Sequence, residues 1–320
     1  MSAAVPVPRS PLPPVAVVGA TATGKSDLAI ALAEHLDGEV VNADAMQLYR
    51  GMDIGTAKVD ATDRGRVPHH LLDVLDVTQE ASVAAYQREA RAAVEAIRGR
   101  GRLPIVVGGS GLYIRALLDE IDFPPSDSQV RGRYEAEAAA DGPEALHARL
   151  ARTDPEAAGR IGVGDTRRIV RALEVGELTG RPFSAFMPTR RLHIDGTVQI
   201  GLTLPRPRLH ARVEERVHAM VRAGLLEEAR GLEAVGLREG VTARRAIGYQ
   251  QALAVLDGTM GCAQAIDDTV VGTRRLVRKQ DTWFRRDPRV RWIDASAGGA
   301  AVTEQALSML RAEGIGRVDA

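Results

Sequence analysis

The sequence predicts an α/β fold: a P-loop NTPase-like parallel sheet core, interrupted by a helical insertion domain. Three observations predict it. Short apolar runs, closed by glycine or acid-containing turns, alternate with helix-like segments along both ends of the chain. The first run enters a phosphate-binding loop that opens a helix. Between the two sets of runs, residues 126–188 are rich in Ala, Glu and Arg and show little strand character. The expected division is a disordered tail over 1–14, a core over 15–125 and 189–313, an insertion over 126–188, and a frayed end over 314–320.

The first element is VAVVG, Val15 to Gly19, read as a buried strand. It runs into Gly19, Ala20, Thr21, Ala22, Thr23, Gly24, Lys25 and Ser26, which fit G-x-x-x-x-G-K-[ST]. Glycines let successive backbone N–H groups converge on one anion, and the helix that follows adds the positive end of its dipole. Lys25 brings a mobile charge to phosphate oxygens, and the Ser26 hydroxyl suits Mg²⁺. The chain has 32 Gly, and a random chain of this composition would carry the four fixed letters roughly 0.003 times. A diphosphate or triphosphate is therefore expected here. The helix is expected over Asp27–Leu36.

A second strand, Gly38 to Asn42, ends at Ala43-Asp44, before a glycine-rich stretch that runs to Lys58. Ligands of open α/β sheets lie beyond the carboxyl ends of the strands, so Asp44 would face the same crevice as the phosphate loop. Asp before a helix-like AMQLYR equally suits a helix cap, and position alone does not separate the two. Pro68 to Val77 reads as a third strand with its approach. His69 and His70 there point to opposite faces of a strand, which favours structural histidines over a metal pair. Ser82 caps a helix to Arg98. Leu103 to Ser110 is a buried strand ending in a second glycine turn, and a helix follows. It ends without the acid that a nucleotide hydrolase uses for Mg²⁺, although Asp73 and Asp76 on the third strand could substitute.

Within the insertion, Arg167, Arg168 and Arg171 cluster, with Arg167 and Arg171 on one helical face. They read as a solvated face or as phosphate contacts. Val198–Leu204 is a returning strand. Arg206–Val235 is helical, with Arg208, Arg212 and Arg216 in a stripe. Ala263–Arg286 is a long helix whose apolar face is Ile266, Val270, Thr273, Val277 and Phe284. Arg274, Arg275, Arg278, Lys279, Arg285 and Arg286 stand against that face, with Trp283 among them, a combination that suits an RNA backbone and a stacked base. Arg289–Asp294 is the last strand.

Composition bounds the function. The 320 residues allow about two domains. With 45% apolar and 26% charged residues the chain is ordinary for a globular protein. Formal net charge is zero, so nucleic acid could be met only through local clusters. Lysine is confined to Lys25, Lys58 and Lys279. One cysteine, Cys262, excludes an intrachain disulfide and a cysteine-based zinc site. No apolar run approaches the ~20 residues of a membrane span. Met1–Pro14 lacks the charged start and apolar stretch of a signal peptide. A cytoplasmic monomer is expected.

The stretches VVGATATGKSDLA, NADAMQLYRGMDIGTAK, PHHLLDV, LPIVVGGSGLYIRALL, DTRRIVRALEV, RAIGYQQ and TRRLVRKQDTWFRRDPRVRWID run in order from about residue 15 to 294. Together they resemble the bacterial tRNA dimethylallyltransferases, which transfer the prenyl group of dimethylallyl diphosphate to N6 of the adenosine 3′ of the anticodon. That family often has Pro where Ala20 stands and Thr where Ser110 stands; Ser110 keeps the hydroxyl. The resemblance explains the missing acid, because diphosphate would be a leaving group rather than part of a hydrolysed nucleotide. It implies Asp44 as the base on the adenine amine, with Lys25 and Ser110 as further catalytic residues. Mg²⁺ at Ser26 would be the cofactor, and Arg212 or Arg216 would reach the diphosphate. The implied tRNA contacts are Asp44, Ala45, Met46, Gln47, Ser110, Arg131, Arg167, Arg168, Arg171, Arg245, Gly248, Tyr249, Gln250, Arg278, Lys279, Gln280, Trp283 and Arg285. A P-loop small-molecule kinase shares the first motif, and a non-enzymatic tRNA-binding protein would share the basic patches.

Overall fold

A computed structural model describes residues 12–186 and 190–316 of the chain. The tail residues 1–11 and the terminal residues 317–320 lie outside the described residues.

The chain divides into two units, one formed by Met1–Leu118 with Ile194–Ala320, the other by Asp119–His193. In the first unit the N-terminal half runs β1 (Val15–Gly19), α1 (Lys25–Leu36), β2 (Gly38–Asn42), α2 (Ala61–Arg66), β3 (His69–His70), α3 (Val83–Gly99), β4 (Leu103–Gly108) and α4 (Gly111–Leu118). The second unit holds α5 (Ser128–Asp141), α6 (Pro143–Thr153), α7 (Pro155–Arg160) and α8 (Thr166–Thr179). The first unit resumes with β5 (Val198–Thr203), α9 (Arg206–Arg222), α10 (Leu225–Glu233), α11 (Tyr249–Leu256), α12 (Cys262–Arg285), β6 (Val290–Asp294) and α13 (Gly299–Ala312).

The strands of the first unit form a six-stranded sheet in the order β3-β2-β4-β1-β5-β6. All pairs are parallel. Parallel strands need crossovers, and α1, α3 and α9 to α12 supply them. Every residue of β1 is buried, as its unbroken apolar run requires of a central strand covered on both faces. The core joins β1, β4 and β5 to Leu28, Leu32, Val213, Val277 and Leu307.

Several elements differ from the sequence reading. The third strand is confined to His69–His70, because Leu71 and Asp73 turn left-handed at φ 62 and 57. Asp73 and Asp76 therefore stand off the sheet and are paired with Lys58 and Arg64, and with Arg50. The helix expected over 206–235 breaks at Gly224, φ 98, into α9 and α10. Residues after Asp44 are turns, not a helix. The described part of the expected tail, Leu12–Pro14, is tied down: Leu12 O accepts from Arg98, and Pro14 O from Val198 N. At the other end Ile315 is buried, so the described part of the expected frayed end is packed. Among the described residues no helix is long and apolar enough to cross a membrane.

The second unit packs Tyr134, Leu146, Leu150, Ile169, Val170 and Leu173 into its own core. Its hub is Glu174, fully buried, which accepts from Asp127 N, Arg131 and Arg171. Burial raises this carboxyl; the bonds from Arg171, Asp127 N and Arg131 outweigh it and hold the pKa below the ordinary glutamate value.

Candidate active site

The loop between β1 and α1 is shaped by contacts with itself. The Thr23 hydroxyl and the Lys25 ammonium both donate to the Ala20 carbonyl, at 2.8 and 2.7 Å. Gly19 has φ +136, and a Cβ there would lie 2.6 Å from the Leu202 carbonyl of β5, so only glycine lets the loop leave the sheet here. Helix α1 starts after Gly24 with no side-chain cap. Its first N–H groups are the donors that an anion takes up. Burial pushes the Lys25 ammonium down to about 8; Arg216 adds repulsion and Asp44 partly opposes both. Two cations and one carboxylate therefore bear on each other at the end of β1, and an anion bound between the cations would relieve their repulsion.

Asp44 sits just past β2 because Asn42 fixes the turn. The Asn42 amide donates to the Asp44 and Leu71 carbonyls, and its oxygen accepts from Asp44 N. Tyr86, buried against Tyr113, donates to the Asn42 carbonyl from below. Asp44 Oδ1 accepts from Met46 N at 2.9 Å, a tight local turn in place of the alternative helix cap.

The stretch from Met52 to Lys58 is held by groups far away in sequence. Glu228 of α10 accepts from three successive amides, Asp53, Ile54 and Gly55, at 3.1, 2.8 and 3.2 Å. Tyr249 donates its hydroxyl to the same carboxylate. Lys58 has no exposed side-chain surface and binds the Tyr49 carbonyl, Asp53 and Asp73. On the other side of the loop, Gln47 and Arg216 donate to the Thr56 carbonyl.

These pieces enclose a cavity of about 280 Å³. Thr21, Asp44, Arg216 and Arg245 supply its polar edge, while Met46, Val213, Val217, Met220, Ile247 and Leu276 supply an apolar wall. A head group of negative charge with a short apolar chain matches that division. The arginine choice left open by sequence divides accordingly. Arg216 shares this cavity with Asp44, and its charge bears on Lys25. Arg212 lines a separate cavity of about 540 Å³ with Gly24, Asp27, His35 and Thr303.

The remaining expected site residues fall into four groups. Ser110 is partly buried at the β4–α4 junction, and its carbonyl accepts from Ile114 N; Ala45 and Gln47 are partly buried beside Asp44. Arg245, Gln250, Arg278, Lys279, Trp283 and Arg285 are exposed, with Arg285 lying over Trp292 at 5.1 Å. Gly248, Tyr249 and Gln280, expected at the RNA surface, are buried instead. Tyr249 packs on Gly55 and serves Glu228, and Gln280 bonds to the phosphate loop. In the second unit Arg167 and Arg168 are exposed. Arg171 is spent on the Pro124 and Pro125 carbonyls and Glu174, and Arg131 on Glu174.

His70 bonds Glu39, and no cluster of three potential metal ligands occurs among the described residues. Sequence reasoning missed Glu228 and Asn42. Glu228 gave no signal in its acidic helical stretch, because its partners are amides.

Residues 47–287 match the family described as IPP transferase, and residues 15–66 the isopentenyl transferase family. A tRNA dimethylallyltransferase of Kineococcus radiotolerans is 59% identical over 293 residues, 90% of this chain and 92% of the relative. One of Kocuria rhizophila is 60% identical over 284 residues, 89% and 90% of the two chains. Among solved structures, the full-length tRNA isopentenylpyrophosphate transferase of Bacillus halodurans aligns with a TM-score of 0.68 at 38% identity, over 94% of this chain and 98% of that one. A eukaryotic dimethylallyltransferase acting on tRNA aligns with a TM-score of 0.80 at 25% identity, over 94% and 79%.

Proposed function

We infer the reaction from one premise: the chain belongs to the IPP transferase family, that of the tRNA dimethylallyltransferases. It transfers the dimethylallyl group of dimethylallyl diphosphate to N6 of the adenosine immediately 3′ of the anticodon in tRNA, and releases diphosphate. The observation that carries this reading is that Arg216 and Asp44 meet at the polar edge of a cavity with an apolar wall, with Lys25 of the phosphate loop within electrostatic reach of both. The cations and the α1 amides take the diphosphate, the Met46–Met220 wall takes the five-carbon chain, and Asp44 stands beside the reacting end.

The chemistry balances on these residues. The bond between the allylic carbon and the diphosphate oxygen breaks, and the electron pair leaves with diphosphate. Lys25, Arg216 and the loop N–H groups stabilise that charge as it develops. The N6 amine forms the new C–N bond and loses a proton. Its lone pair is delocalised into the ring, so a carboxylate accepting that proton raises its reactivity. Asp44 Oδ1 is engaged with Met46 N, which leaves Oδ2 as the oxygen to take the amine proton. The target base leaves the anticodon stack to reach this position. Exposed Arg245, Arg278, Lys279 and Trp283 supply phosphate and stacking contacts.

Ser26 opens α1 with a hydroxyl, a hard oxygen of the type Mg²⁺ takes alongside phosphate oxygens. With no three-ligand protein cluster among the described residues, the ion would arrive with the diphosphate, held by Ser26. When bound, it supplies further neutralisation of the leaving group. A tRNA substrate implies action in the cytoplasm.

Incubation of the protein with labelled dimethylallyl diphosphate, Mg²⁺ and tRNA, without ATP, tests the reading. Label on the tRNA, with stoichiometric diphosphate release, is expected. A kinase would consume ATP without RNA, and a binding protein would leave the donor intact; either result contradicts the proposal.

A further inference from the structure

Helix α12 carries exposed Arg278 and Lys279, and the next residue turns inward. Gln280 is 8% exposed, and its Oε1 accepts from Thr21 N of the phosphate loop at 2.9 Å, across 259 residues of sequence. Its amide nitrogen stands against the glycine turn after β4, where a Cβ on Gly109 would lie 2.4 Å away. One turn further on, Trp283 covers Gly111 so closely that a Cβ there would lie 1.9 Å from the indole. The two glycine turns, one after β1 and one after β4, thus both meet one buried residue of a single helix, Gln280.

We propose that Gln280 is a positioning residue of the donor site, which fixes the Thr21 peptide so that the later amides of the loop keep their aim at the diphosphate. This rests on the reading of the loop as the diphosphate cradle. The residue type fits the task. Glutamine is a neutral acceptor, so it satisfies a partly buried N–H without setting a negative charge beside an anion. An apolar residue would leave the Thr21 N–H unpaired next to the loop. A carboxylate would keep the hydrogen bond and repel the diphosphate. Gly109 is part of the arrangement, because any side chain there would displace the amide.

The test uses the full-length protein, with inorganic diphosphate and Mg²⁺ as the probe in calorimetry. Anticodon stem-loop affinity, KM for each substrate and melting temperature are measured in parallel for wild type, Gln280→Leu and Gln280→Glu. Gln280→Leu should weaken diphosphate about tenfold, the usual scale for loss of one hydrogen bond, and raise the donor KM by a similar factor. RNA affinity and RNA KM should stay within about twofold. Gln280→Glu should weaken diphosphate further, and added salt should recover part of the loss. Loss of RNA affinity in Gln280→Leu with unchanged diphosphate binding would make Gln280 an RNA contact and overturn the proposal. If Gln280→Leu is merely unstable, Gln280→Glu decides, and diphosphate binding like that of wild type overturns it. A wild-type protein that binds no diphosphate overturns the cradle reading itself, and the proposal with it.

Discussion

The two loops that meet at the site are built on opposite plans. The phosphate loop, 19–26, is shaped mostly from within: a glycine at each end, a threonine and a lysine on one of its own carbonyls, and a helix start. The loop from Asp44 to Lys58 is shaped largely from outside. Glu228 grips its amides, Tyr249 bonds that carboxylate, and Asp73 pairs with its buried lysine, all from elsewhere in the chain. The first plan suits a constant task, holding an anion. The second makes the part of the cavity wall that it supplies, Met46, Gly55 and Thr56, depend on α10 and α11 being correctly packed.

Substitutions can separate the two. The largest effect is expected at Asp44, where the outer loop meets the chemistry. Asp44→Asn should cut turnover by ~10²–10⁴, the range for loss of a general base, with donor and tRNA affinity retained. Single-turnover rates check this, and a variant within threefold of wild type would remove Asp44 from the role. Next comes the clamp. Glu228→Gln puts an amide N–H₂ among three N–H donors, so turnover should fall about tenfold and the melting temperature by several degrees. Diphosphate affinity should stay within twofold, because the phosphate loop does not use this clamp. An equal loss of diphosphate affinity would join the loops that we separate.

A smaller effect is expected in acid. Burial raises the Asp73 carboxyl, and hydrogen bonds from Lys58 and Arg64 outweigh it, leaving its pKa below the ordinary aspartate value. A depressed carboxylate contributes stability above its unfolded pKa and loses it as pH falls through the folded value. Asp73→Asn should therefore be less stable than wild type at pH 7, and the gap should close below about pH 4. Denaturant melts at both pH values check the sign; a gap that persists in acid would refute the linkage. The smallest effect concerns the second unit. Arg167 is exposed, whereas Arg171 is bonded within its own unit. Arg167→Ala should lower the salt dependence of tRNA affinity by about one phosphate contact. Arg171→Ala should instead lower the stability of the unit. The reverse pattern would exchange their roles.

The same contrast explains what the sequence disclosed. The sheet core was legible because β1, β4 and β5 are buried apolar runs and each is followed by a turn and helix start. The phosphate loop was legible because its partners are neighbours in sequence. Asp44 was found by position, but its turn could not be told from a cap without Asn42 and Leu71 in place. The inward facing of Tyr249 and Gln280 was not legible, because a motif reveals that a residue matters and not which way it faces. Their neighbours Gln250 and Lys279 are exposed, and one step around a helix reverses burial. Glu228 was invisible, since three amides bind any carboxylate and only the fold brings them together.

The central claim is that both loops serve one donor, with its head on the phosphate loop and its tail in the cavity beside Asp44. A structure of the protein with Mg²⁺ and a non-reactive thiolo analogue of dimethylallyl diphosphate tests it most directly. The account predicts diphosphate within hydrogen-bond distance of Lys25, Ser26 and Arg216, and the five-carbon chain between Met46 and Met220. A chain lying instead in the Arg212–His35 cavity, away from Asp44, would contradict it.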